Sequence, residues 1–125
     1  MSNAELITLN NIFATIKLPK MSAADLFRVL SAKMAISDAV EAVSKKAEGF
    51  KESLKPEGVD EFAPDMNDPR VQQWDKAFSK LYAQLMQEES KTEIEPCITK
   101  EMLTEMSEGM QVASVEMLMR HLVIK

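Results

Sequence analysis

The sequence predicts an all-α fold: a long antiparallel helical hairpin, with a short N-terminal helix and two short C-terminal helices packed as a small bundle. Three observations carry this. Ile36, Val40, Val43, Ala47, Phe50 and Leu54 recur alternately four and three residues apart, the step of a helix laying a narrow apolar seam on a neighbour. A matching seam, Val71, Trp74, Phe78, Leu81 and Leu85, follows after a stretch containing three prolines and one glycine. Only 3 glycines in 125 residues argue against a loop-rich or all-β chain.

The elements follow in order. Ser2 with Glu5 three positions on has capping-box spacing and starts a helix carrying Leu6, Ile7, Leu9, Ile12, Phe13 and Ile16. Pro19 ends it, because the residue before a proline is driven out of the helical region. Ser22 with Asp25 marks the next start, and no proline follows until Pro56, so one helix of roughly 50 Å is predicted from Ala23 to Lys55. Phe27, Leu30 and Met34 widen its apolar face in the first half alone, which predicts a first half covered on two or more sides. Asp68-Pro69 then reads as an N-cap followed by proline at the first helical position, opening a helix to about Glu89.

Thr92, Ile94, Pro96 and Ile98 suggest an extended connector. Thr99 caps a short helix with Met102, Leu103 and Met106, Gly109 breaks it, and a last helix carries Val112, Val115, Met117, Leu118, Met119, Leu122 and Val123. The whole reads as one domain, residues 1–125, with the hairpin over 22–90 and the C-terminal helical segment over 97–125.

Charge narrows the function classes. Residues 1–58 hold 8 basic and 7 acidic side chains and residues 59–125 hold 7 and 13, so the net charge of −5 lies in the second half. That balance opposes a nucleic-acid partner, which needs a basic stripe to displace counterions, and an anionic membrane surface likewise. No apolar run approaches the length of a bilayer span, and no leader pattern opens the sequence. With a single cysteine, Cys97, the expected location is the cytoplasm.

Each motif that suggests chemistry has a plainer competitor. Ten methionines, five of them between Met102 and Met119, are expected mainly to fill the core, with a partner-binding face as the second reading. His121 is the only histidine and has no metal-binding companion; Cys97 has no nearby histidine and no nearby basic residue except Lys100. Asp65 and Asn67 begin a calcium-loop spacing, but Pro69 and Arg70 break it. Glu101, Glu105 and Glu108 share a helix face without converging groups elsewhere. No cofactor or metal site is expected, and no phosphate loop or nucleophile elbow is present.

These readings predict a non-enzymatic helical interaction or assembly protein of the kind frequent in bacterial and phage gene clusters, binding a protein partner or itself. The candidate contact residues are Phe50 and Leu54 at the end of the hairpin and Met102, Met106, Met110 and Met117 in the C-terminal segment. The alternatives are an acidic inhibitor or antitoxin-like protein that binds a basic partner, and a cryptic helical-bundle enzyme. No resemblance to a known family is specific enough to name.

Overall fold

The computed structural model describes residues 1–125 and contains five helices: α1 Asn3–Thr15, α2 Ala23–Leu54, α3 Pro69–Gln87, α4 Lys100–Met106 and α5 Val112–His121. α2 and α3 form the hairpin; α1 lies at the centre, touching α2, α3 and α5. No helix is long and apolar enough to cross a membrane.

Local chemistry sets most of the boundaries. The Ser2 hydroxyl accepts the Glu5 backbone N–H at 3.1 Å, and the Ser2 N–H donates back to the Glu5 carboxylate at 3.1 Å, completing the capping box. Ser22 and Thr99 cap α2 and α4 the same way, accepting from the N–H groups of Asp25 and Met102. Asp68 caps α3 through the Arg70 N–H at 2.9 Å, while the Arg70 guanidinium closes on the same carboxylate and holds it below the usual range. Gly109 takes φ +79 at the break between α4 and α5, a conformation glycine adopts without a Cβ clash.

Two apolar clusters hold these parts together. The larger has 14 buried residues, among them Leu6, Leu9 and Phe13 of α1, Val29, Ala32 and Ile36 of α2, and Leu118 of α5. The smaller, Val59, Val71 and Trp74, sits at the far end of the hairpin. There the Trp74 indole N–H donates to the Lys51 carbonyl at 2.9 Å. That carbonyl is one of the last four of α2, which have no partner within the helix.

The termini of α1 and α5 are tied to distant segments. Asn3, buried to 6% exposure, donates its side-chain amide to the Leu85 carbonyl of α3 at 2.8 Å. Its backbone N–H donates to the Glu88 carbonyl at 2.9 Å. α5 ends at His121, earlier than the predicted run through Val123, because the chain turns extended and pairs with the connector. The N–H groups of Cys97 and Ile98 donate to the Leu122 carbonyl, and the Ile124 N–H donates to the Ile98 carbonyl. Backbone pairing of β-branched Val123 and Ile124 replaces the last helical turn.

The first half of α2 is covered on one side and not on the two or more that were predicted. Val29, Ala32 and Ile36 are buried, but Phe27 is 74% exposed, Met34 67% and Leu30 42%. α1 and the extended C-terminal pieces reach one side of this helix only, and α3 lies against its later half.

Glu5 joins the cap to a long-range contact: its Oε2 meets His121 Nε2 at 3.0 Å, binding the end of α5 to the start of α1. Hydrogen bonding from the Ser2 N–H is the largest influence and lowers the Glu5 pKa; burial opposes it, and hydrogen bonds with His121 and the Ser2 hydroxyl lower it further. A depressed folded-state pKa gives stability that is present above the unfolded value of about 4.3 and is lost as pH falls through the folded value. Glu5→Gln therefore flattens the acid limb of a urea-midpoint-versus-pH profile below about pH 4.3. An identical limb in the two proteins would remove Glu5 from the acid-sensitive set.

Candidate functional site

The exposed side of α2 carries the candidate site. Helical residues advance about 100° each, so Leu26, Phe27, Leu30 and Met34 lie within one stripe turned away from Val29, Ala32 and Ile36. Leu26, the least exposed of the stripe, still shows 39% of its surface. A contiguous apolar stripe on the outside of a small domain is the kind of surface that marks a contact site.

Beside the stripe runs an open groove of about 1060 Å³. Phe27, Ser31 and Ala35 form its α2 wall, and Ile94, Val123 and Ile124 form the wall opposite. The small side chains at Ser31, Ala32 and Ala35 leave room that longer residues would fill. Arg28 and Arg120 stand at the rim, as do Glu93 and Glu95.

Reactive groups near this groove are restrained. Cys97 is 3% exposed, and burial pushes its thiol up to about 11, which keeps it protonated and a poor nucleophile near neutral pH. His121 is engaged by Glu5. No three His, Cys, Asp or Glu side chains converge closely enough to hold a metal ion. In the hairpin loop, Asp60 and Asp65 accept the backbone N–H groups of Phe62 and Asn67, which makes them turn-forming residues. What the groove and stripe offer is apolar contact area with charged margins.

The contact residues expected from sequence are dispersed. Met102 and Met106 are core residues, 7% and 6% exposed, and are not available as a partner-facing pair in this fold. The physical reason is that α4 lays its apolar side directly into the larger cluster. Met110 and Met117 are partly buried against the same cluster. Phe50 is half-buried in the hairpin and Leu54 is 36% exposed at the end of α2. Phe27, Leu30 and Met34 were legible as a widened apolar face; their exposure was not, because periodicity does not say whether a second neighbour exists.

No family model matches the chain, and no curated protein or solved structure does either.

Proposed function

We propose that this chain is a small helical interaction or assembly protein that docks through the outer stripe of α2. One observation supports the reading above others: four large apolar side chains, Leu26, Phe27, Leu30 and Met34, stand 39–74% exposed in one contiguous row. Leaving them in water forfeits roughly 25 cal/mol for each Å² that a partner would cover. The chemistry beside the row favours recognition over bond making, since the thiol is buried and the single histidine is held against the Glu5 carboxylate.

The test places a photo-activatable phenylalanine analogue at position 27, and separately at Glu48, in cells that make the protein. Glu48 lies five helical turns beyond Leu30 on the same side of α2, outside the apolar row. A covalent protein adduct at position 27 without one at 48 is expected. Equal yields at both positions, or none at 27, would overturn the reading.

A further inference from the structure

We infer that the stripe pairs with the same stripe of a second copy, α2 against α2 and antiparallel, with the two-fold axis passing beside Leu30. The inference rests on the interaction role proposed above and names the partner. The row is balanced about that point: Leu26 lies four residues before Leu30 and Met34 four after. In an antiparallel pair with this axis, Leu30 meets its own counterpart. Phe27 and Met34 lie on the same flank of the helix, three before and four after the axis, so each ring faces the other copy's Met34. Sulfur–aromatic contacts of this kind are favourable.

Charge decides between the two directions of pairing. Lys17 and Lys20 precede the row, Asp38 and Glu41 follow it, and all four are exposed. Antiparallel pairing turns Glu41, eleven residues after the axis, toward Lys20, which lies in the link two residues before the Ser22 cap. It also sets Asp38 beside the capped N-terminus of the other α2, whose free N–H groups and dipole favour a carboxylate. Parallel pairing would stack Asp38 on Asp38 and Lys20 on Lys20. Glu41 is occupied only by an exposed pair with Lys45 at 3.3 Å, each side chain more than 60% exposed, so it remains free to exchange partners. A surface that matches itself under a two-fold rotation is what a closed dimer requires.

The experiment is sedimentation equilibrium of the purified full chain at low salt, across a dilution series, for wild type and four variants. Phe27 is 74% exposed, so Phe27→Asp leaves the fold, checked by circular dichroism, intact while charging the contact. The expected results are a wild-type dimer that dissociates on dilution and a Phe27→Asp monomer. Lys20→Glu or Glu41→Lys alone weakens association about threefold to tenfold, because each change strikes two symmetric pairs. The double variant, Lys20→Glu with Glu41→Lys, restores it.

A wild-type monomer at every concentration would overturn the inference. Position 27 would still label a heavier protein in cells if the interaction role alone were correct, so the two failures are distinguishable. A dimer indifferent to Phe27→Asp would place the contact elsewhere, and failure of the double variant to recover would reject the antiparallel register; either result overturns the inference.

Discussion

Trp74→Ala opens the far end of the hairpin while the other end stays folded. Trp74 is 7% exposed and packs on Val59 and Val71, and Lys51 Nζ lies 5.9 Å from its ring centroid. Truncating a buried tryptophan costs about 3–5 kcal/mol, from lost burial and the cavity left behind. The same change orphans the Lys51 carbonyl at the end of α2, which the indole N–H now serves at 2.9 Å. Only three residues form this cluster, so neighbours cannot absorb the loss. Hydrogen exchange is the measurement: amides in the last two turns of α2 and the first two of α3 lose protection, and those of α1 and α5 keep it. Uniform loss along the chain would mean that the two clusters unfold as one unit.

Leu118→Ala gives the opposite distribution, a global loss. Leu118 is fully buried in the 14-residue cluster that joins α1, the first half of α2, α4 and the C-terminal segment. Leucine-to-alanine changes at such sites cost about 2–5 kcal/mol, a large part of the roughly 5–15 kcal/mol that holds a domain of this size together. The melting temperature falls by roughly 10 °C or more, and every probe shifts together. Met119→Ala, one position along α5 but 57% exposed, stays within about 0.5 kcal/mol of wild type. A comparable drop for both variants would show that α5 contributes through helix propensity and not through its buried face. The pair of results separates the two clusters energetically as the fold separates them in space.

Leu118 and Met119 are adjacent, apolar and alike in propensity, and only the helical phase relative to α1 distinguishes them. Phase within one helix is legible from spacing, but which phase meets another element is not. The same limit explains the methionines. Met102 and Met106 satisfy the spacing of a contact face as well as that of a core face, and their burial depends on where α4 is laid down.

The helical class, the five elements and most of their ends are written in short-range residue chemistry. Ser2 with Glu5, Ser22, Asp68-Pro69, Thr99 and Gly109 act through hydrogen bonds and φ preferences within a few residues, so their effect is written locally. The pairing of α2 with α3 was also legible, because two matched seams joined by a short loop have few other ways to bury themselves. Contacts between distant residues came from the packed fold: Asn3 on Leu85, Glu5 on His121, and the backbone pairing of Ile98 with Val123. That fold alone decided that Phe27, Leu30 and Met34 face outward. Burial is a property of how many neighbours a helix has, and α1 and the C-terminal segment together are large enough to cover one side of α2 and not two.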